Sequence, residues 1–303
     1  MNPIISIILV NYNSTHHTIN CVSSIMQQTS KNTFFEVIIV DNNSRQEEKN
    51  KLTDWLDSQK FNNVFLVKSE KNIGFTGGNM LGIKIAKGQY IYLLNNDCIL
   101  QNDTLTILQE FMDSNHNAAA CVPQILNNQK QFTPSFCYMP SIATKWLGNT
   151  TMSLLFPQKY PDRKKQHAQP IKVPVICGAS MFLRKSAFEK VGYMDPAYFL
   201  YLEEEDLCMK LTRAGYDIYH VPTAIIQHLG GESTKRDIKI DMEYYISLLY
   251  FLRKYYSPSQ KAIIKLRYVI RELLGSIISP KRFKLFLFLL KDAPSKYSLR
   301  FKQ

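Results

Sequence analysis

A chain of 303 residues, 45% hydrophobic and 20% charged, can bury a sizeable core; this excludes a disordered protein and favours one large α/β domain with an appendage. Its net charge of +12 is uneven: residues 235–303 hold 16 Lys and Arg against 5 Asp and Glu, so +11 lies in the last quarter and the body is close to neutral. The six cysteines (Cys21, Cys98, Cys121, Cys137, Cys177 and Cys208) are scattered without a C-x-x-C pair, which argues against a zinc site or disulfide framework and for buried, reduced thiols.

The N-terminus runs from Met1-Asn-Pro straight into an apolar strand-like stretch at residues 4–10, without a basic region or small-residue cleavage site. No signal peptide is expected, and the chain is placed in the cytoplasm. Further strand-like runs at 36–40, 64–67 and 90–94 alternate with helical stretches at 15–28, 46–59 and 78–86. That alternation predicts a doubly wound, mainly parallel sheet flanked by helices. A helix to about residue 115 and a strand at 118–124 follow. Residues 127–174, rich in Pro, Gln and Lys and weak in periodicity, read as a long excursion over the active site. Order returns at 175–184, then come helices at 185–191, stopped by Gly192, and 204–214, capped by Gly215. A short strand is expected at 224–227. The last quarter reads as helices at 242–256, 258–278 and 280–291, none with the apolar length of a membrane span. Lys265, Arg267, Arg271, Lys281, Arg282 and Lys284 are interleaved there with Leu, Ile and Phe. This mixture fits an anionic membrane surface better than nucleic acid; the plainer reading is a packed amphipathic helix with a solvated basic face.

Five motifs carry chemistry. The buried run at 90–94 ends in Asn95-Asn96-Asp97, oxygen ligands at a strand's carboxyl end that suit Mg²⁺ or Mn²⁺ carrying phosphates, although such a triplet alone is more often an Asx-rich turn. Val40-Asp41-Asn-Asn-Ser44 again sets a carboxylate after a strand, where it can hold a ribose or a pyrimidine N–H, or cap the next helix. In Asn72-Ile-Gly-Phe-Thr-Gly-Gly-Asn79 the glycines allow close backbone approach before a helix, but the spacing is neither a dinucleotide fingerprint nor a P-loop. Phe199-Leu-Tyr-Leu-Glu-Glu-Glu-Asp206 sets four carboxylates in a row. Helix capping explains one or two of them, and crowding raises the pKa of the rest, as a base requires. His228, in a Gly-rich turn after a strand, is a candidate ligand.

In this order the motifs resemble the family 2 glycosyltransferases, inverting enzymes of the GT-A fold, and especially the bacterial rhamnosyltransferase-like branch. The resemblance spans about residues 4–235 and rests on Ile7-Ile-Leu-Val-Asn-Tyr-Asn13, the stretches at 40–44, 72–79 and 94–97, Gly178-Ala-Ser-Met-Phe-Leu-Arg184, Tyr201-Leu-Glu-Glu-Glu-Asp-Leu207 and His228-Leu-Gly-Gly-Glu-Ser233. It implies a GT-A domain at 1–235, Rossmann-like with a mainly parallel sheet, and a basic helical extension at 236–303. By that likeness Asn11, Tyr12, Asn13, Asp41, Asn72, Gly74, Gly78, Asn79, Asn95 and Asn96 bind the nucleotide sugar, and Asp97, the last carboxylate of a D-x-D site, binds a divalent cation with His228. Glu204 is the base that deprotonates the acceptor, with Glu203 or Asp206 as substitutes. Two departures stand out: Asn95 replaces the first D-x-D carboxylate, and Glu203-Glu204 replaces the branch's Glu-Asp.

The expected activity is transfer of a sugar, rhamnose from dTDP-rhamnose ahead of a hexose from a UDP-sugar, to a hydroxyl of a surface polysaccharide or polyprenyl-linked glycan precursor at the inner face of the plasma membrane. A homodimer is compatible with this, and no nucleic-acid partner is expected. The alternative is a non-catalytic relative that binds a nucleotide sugar or serves as a scaffold.

Overall fold

The computed structural model describes residues 3–230 and 237–301. In chain order it contains β1 (Ile5–Asn11), α1 (Thr15–Gln28), β2 (Phe35–Asp41), α2 (Gln46–Gln59), β3 (Val64–Lys68), α3 (Gly74–Ile83), β4 (Tyr90–Leu94), β5 (Cys98–Leu100), α4 (Thr104–Ser114), β6 (Ala118–Leu126), β7 (Phe132–Thr133) and β8 (Phe136–Cys137). There follow α5 (Ile142–Trp146), α6 (Asn149–Leu155), β9 (Ile171–Lys172), β10 (Val175–Ile176), β11 (Ser180–Arg184), α7 (Lys185–Lys190), α8 (Glu203–Arg213), β12 (Asp217–His228), α9 (Ile238–Tyr255), α10 (Pro258–Ser276) and α11 (Pro280–Leu290), and two 3₁₀ turns, Ser295–Tyr297 and Leu299–Phe301.

The main sheet has the order β3-β2-β1-β4-β11-β6-β12-β5. Pairs β1–β2, β2–β3, β1–β4 and β6–β12 are parallel, while β11 runs antiparallel between β4 and β6. The near-continuous Ile, Leu and Val runs of β1, β2 and β4 are buried on both faces, as central parallel strands are. The expected fold class holds, and all six cysteines are free thiols.

Three boundaries differ from the sequence reading. Helix α3 starts at Gly74, so the glycine stretch is not a loop but the helix's own packing face. A Cβ on Gly78 would lie 2.9 Å from Val10 Cγ1, and one on Gly82 would lie 2.7 Å from Ile8 Cγ2. The strand expected at 224–227 is the end of twelve-residue β12, whose pairing with β6 shifts register between Val221 and Ile225, around Pro222, which has no N–H for a ladder. Helix α9 begins at Ile238, where Asp237 caps it, and not at 242. The excursion at 127–174 holds α5 and α6, and α5 packs on α10.

The C-terminal helices build a second apolar cluster around Tyr245, Leu248, Phe251, Ile264 and Leu289, which also takes in Tyr198 and Leu202 from the chain just before α8. Ser257 and Gln260 form a capping box at the start of α10, with Pro258 in its first turn. No helix among the described residues is long and apolar enough to cross a membrane.

One ion cluster ties the two clusters together. Asp206, fully buried, accepts hydrogen bonds from Lys254 Nζ at 2.7 Å, Tyr255 Oη at 2.9 Å and Tyr198 Oη at 3.2 Å, and Lys254 also reaches Asp195 at 2.6 Å. Asp206 is therefore a clasp between α8 and α9, with its Oδ1 held by these partners. Asp206→Ala leaves the buried Tyr198 hydroxyl without its acceptor, while Lys254, partly exposed, keeps Asp195, so the change should cost about 1–3 kcal/mol. Urea denaturation of the purified variant checks the value.

Candidate active site

The carboxyl ends of β1, β2 and β4 lie along one edge of the sheet, the place where open α/β sheets bind ligands. Register sets Asn11 beside Asp41. Asn11 Nδ2 donates to Asp41 Oδ2 at 3.0 Å, its Oδ1 accepts from Thr18 Oγ1 at 2.9 Å, and Asp41 Oδ1 accepts from the Ser44 N–H at 3.1 Å. From the β4 turn, Asn96 Nδ2 donates to Ser14 Oγ at 2.8 Å and Thr18 Oγ1 at 2.9 Å. These groups are buried and satisfied, so they lock the three strand ends and the start of α1 into one rigid shelf.

On that shelf sit Asp97 and His228. Leu229 N–H donates to the Asp97 carbonyl at 3.0 Å, which brings the end of β12 to the β4 turn, and His228 Nε2 lies 3.2 Å from Asp97 Oδ1. Burial pushes the Asp97 carboxyl up, but the hydrogen bond and charge of His228 outweigh it and hold the carboxyl below its ordinary range. Cys98 has its sulfur within 4.8 Å of both, yet burial keeps it a thiol that donates to the Ala179 carbonyl. The donor set is thus one carboxylate and one imidazole, without a thiolate, which fits Mn²⁺ or Mg²⁺ with the remaining positions left to phosphate or water.

A cavity of about 510 Å³ opens over this pair. Of the residues expected to bind a nucleotide sugar, Tyr12, Asn72, Gly74, Asn95 and Asn96 line it, as do Asp97 and His228. Asn11, Asn13, Asp41, Gly78 and Asn79 do not. Asn11 and Asp41 face each other inside the shelf; Asn13 turns the chain at φ 53° and accepts from the Arg45 N–H; Gly78 packs on Val10; Asn79 donates to the Phe75 carbonyl. In this arrangement they support the residues that line the cavity.

Gly74, at φ +76°, is required where it stands: a Cβ would collide with the Phe199 carbonyl and ring. Sequence reasoning missed Asn42, which accepts from the Ile73 N–H and donates to Asn72 Oδ1 at 3.0 Å, joining β2 to the start of α3; its signal was its place directly after Asp41. It also missed Lys239, Ile240 and Leu299, which line the cavity from the C-terminal region and carry no local signal. Of the motif beginning at His228, residues 231–233 lie outside the described residues, as does the expected domain boundary at 235.

The acidic run is placed otherwise. Phe199, Leu200 and Tyr201 line the cavity, then Tyr201 and Leu202 both take left-handed backbone, φ 72° and 66°, and α8 begins at Glu203. Glu203, Glu204 and Glu205 are not part of the cavity wall. The Glu204 carboxyl fits against Gly178, where a Cβ would come within 3.2 Å of Oε1, and one oxygen of each of the three carboxyls is buried without a partner. The excursion at 127–174 does not line the cavity either; its Lys145 lies close enough to pull the Glu205 pKa down, and the Cys137 thiol feels Glu204 and Glu205. Burial raises all three carboxyl pKa values. Mutual repulsion lifts Glu203 and Glu205 furthest, while a hydrogen bond with Glu205 favours ionised Glu204.

The family model described as glycosyl transferase family 2 matches residues 6–192. The low-salt glycan biosynthesis hexosyltransferase Agl10 of Haloferax volcanii is 26% identical over 223 residues, 71% of this chain and 63% of that protein. The N-acetylglucosaminyl-diphospho-decaprenol L-rhamnosyltransferase of Mycobacterium tuberculosis is 24% identical over 254 residues, 78% of this chain and 80% of that protein. Among solved structures, GalNAc-T7 with UDP, GalNAc and Mn²⁺ superposes with a TM-score of 0.65 at 16% identity, over 96% of this chain and 56% of that one. The chain therefore spans less than two thirds of the length of the Haloferax relative and of the solved structure, and the shared feature with the latter is the GT-A-like fold.

The raised carboxyls have a consequence for stability. The folded chain retains protons on Glu203 and Glu205 that the unfolded chain loses above the ordinary carboxylate range, so their contribution is least unfavourable below that range and worsens as pH rises toward the folded values. Glu205→Gln removes one of these groups. Its melting temperature should gain on that of the parent by about 2 °C or more between about pH 5 and pH 8. A difference that is flat or falls with pH, read by differential scanning fluorimetry, would contradict the assignment.

Proposed function

The chain belongs to glycosyl transferase family 2, and from that premise we propose that it is an inverting hexosyltransferase, with rhamnose from dTDP-rhamnose as the first-choice donor and a UDP-hexose as the second. The observation that carries the reading is the Asp97–His228 pair, 3.2 Å apart, on the floor of the cavity at the carboxyl edge of the sheet. The cavity also carries what a nucleotide needs, an aromatic ring at Tyr12 and amides at Asn42 and Asn72. Rhamnose is favoured by the likeness of 201–207 to the rhamnosyltransferase-like branch and by the mycobacterial relative, whose name also supports a polyprenyl-diphosphate-linked acceptor here.

In the proposed reaction the acceptor hydroxyl oxygen forms a bond to the anomeric carbon from the face opposite the diphosphate. The anomeric C–O bond breaks, its electron pair leaves with the diphosphate, and Glu204 receives the hydroxyl proton; one such displacement inverts the anomeric centre. A divalent cation, when bound by Asp97 and His228, supplies positive charge to the departing diphosphate. Asn95 in place of a second carboxylate leaves that site one negative charge short, and Lys239, on the cavity wall, adds a cation of the protein's own. The acceptor side is then the side of Gly178, against the Glu204 carboxyl, with Lys145 near the adjacent Glu205.

The place of action is proposed as the anionic inner face of the plasma membrane, on which the basic α10 and α11 would rest. The rival, a scaffold that binds nucleotide sugar without turnover, is favoured by Asn95 and by the exclusion of Glu204 from the cavity wall.

Release of sugar from a panel of nucleotide sugars, with Mn²⁺ and then with EDTA, separates the two readings: turnover of one donor supports the enzyme, and binding without turnover of any supports the scaffold. Glu204→Gln should lower kcat about 10²–10⁴-fold with donor affinity nearly unchanged. Gly178→Ala, which crowds the same carboxyl, should cost about 10²-fold while the Mn²⁺ dependence is kept. Asp97→Asn should abolish the cation dependence of donor binding in calorimetry, and unchanged binding in EDTA would remove Asp97 from that role.

A further inference from the structure

Helix α10 has two apolar faces, and only one of them is packed. Ile264, Tyr268, Glu272 and Gly275 are buried against the neighbouring helices. At about 100° per residue, Ile263, Leu266, Leu273 and Leu274 fall on a separate stripe. They are 41–61% exposed, and the stripe runs on into Ile277 and Ile278 at 84% and 89% exposed. A second apolar patch stands on the α5–α6 element. There α6 buries Met152 and turns Leu154 and Leu155 outward, 78% and 61% exposed, followed by exposed Phe156.

These patches, more than a hundred residues apart in sequence, are joined. Trp146 Nε1 donates to the Ile263 carbonyl at 3.2 Å, and Lys145 Nζ stands 5.9 Å from the centre of the Tyr268 ring, so α5 is fixed to α10 where the stripe begins. Both patches are flanked by cations: Arg267, Arg282 and Lys284 on the helices, and Lys159, Arg163, Lys164 and Lys165 after α6, with Asp162 the one acid among the latter. A twofold contact with a second copy would bring these like charges together, whereas an anionic bilayer attracts them and takes up the apolar side chains.

We propose that α5–α6 and the turn between α10 and α11 form one bilayer-docking face, with Leu154, Leu155, Phe156, Ile277 and Ile278 in the interfacial layer and the lysines and arginines on lipid phosphates. This rests on the peripheral-membrane reading above and adds to it the α5–α6 element, which ends about 80 residues before the basic tail begins. It also gives that element a part in the reaction: α5 carries Lys145 toward Glu205 and the adjacent Trp146 toward the lipid, so a membrane-held acceptor would be presented on the side of the acidic run.

The test uses the full chain and sedimentation with vesicles of phosphatidylcholine containing about 30% phosphatidylglycerol. Leu154→Glu/Leu155→Glu and Ile277→Glu/Ile278→Glu should each weaken binding about tenfold or more, with circular dichroism unchanged. In a Trp55→Phe background, Trp146 fluorescence should be quenched by lipids brominated near the glycerol. Loss of binding in the Ile277/Ile278 variant but not in the Leu154/Leu155 variant, with no Trp146 quenching, would overturn the α5–α6 assignment and leave C-terminal attachment standing. Absence of vesicle binding by the parent chain would overturn both. If the Leu154/Leu155 variant instead turns a dimer into a monomer in analytical ultracentrifugation while its lipid binding is unaltered, the face belongs to a second copy and the proposal fails.

Discussion

The architecture depends on the hydrogen-bonded pairing of Asn11 with Asp41, two polar side chains at matched register on adjacent buried strands. Neither tolerates burial alone: an unpaired amide or carboxylate at that depth costs far more than the pair contributes. Once paired, they draw in Ser44, Thr18 and, through Thr18 and Ser14, Asn96. The β4 turn is then held in a single arrangement, and Asp97 next in the chain is left on the cavity floor. The residues that a ligand could touch are thus oriented by residues that a ligand does not touch.

The acidic run shows how one sequence patch divides between stability and chemistry. Asp206, four residues before Lys210 on α8 and facing α9, has Lys254 and two tyrosine hydroxyls as partners. Glu203, Glu204 and Glu205, in the same first turn, have almost none. Burying three carboxyls together with only Lys145 near one of them works against folding, and the Asp206–Lys254 clasp sits within the same turn and holds α8 in place despite it. The left-handed Tyr201 and Leu202 belong to the same compromise, strain kept at the junction between the cavity wall and the carboxyls.

Charge and apolar exposure follow a second division. The body is nearly neutral and encloses the polar cavity, while the last quarter carries almost all of the net charge together with the most exposed isoleucines of the molecule. The C-terminal region is nonetheless no mere appendage: Glu243, buried, accepts from Ser298 Oγ and from the Leu299 N–H, which places Leu299 on the cavity wall with Lys239. Through these contacts the basic helices and the cavity form one body.

The amino-acid sequence by itself determined the alternation of strands and helices, the sheet's buried centre and the positions of Asp97 and His228. All three follow from local apolar periodicity and from polar residues that end an apolar run. Family 2 membership was readable as a resemblance, because the motifs that carry it are contiguous. Only the tertiary structure decided that the 72–79 glycines pack α3 on the sheet, that Asp41 supports the site without lining it, that Asp206 is a clasp and Glu204 a buried carboxyl against Gly178, and that Lys239, Leu299 and Trp146 take part at all. Each of these depends on which distant side chain shares a buried space. Burial sets both the partner of a polar group and its proton affinity, and neither is contained in the spacing of residues along the chain.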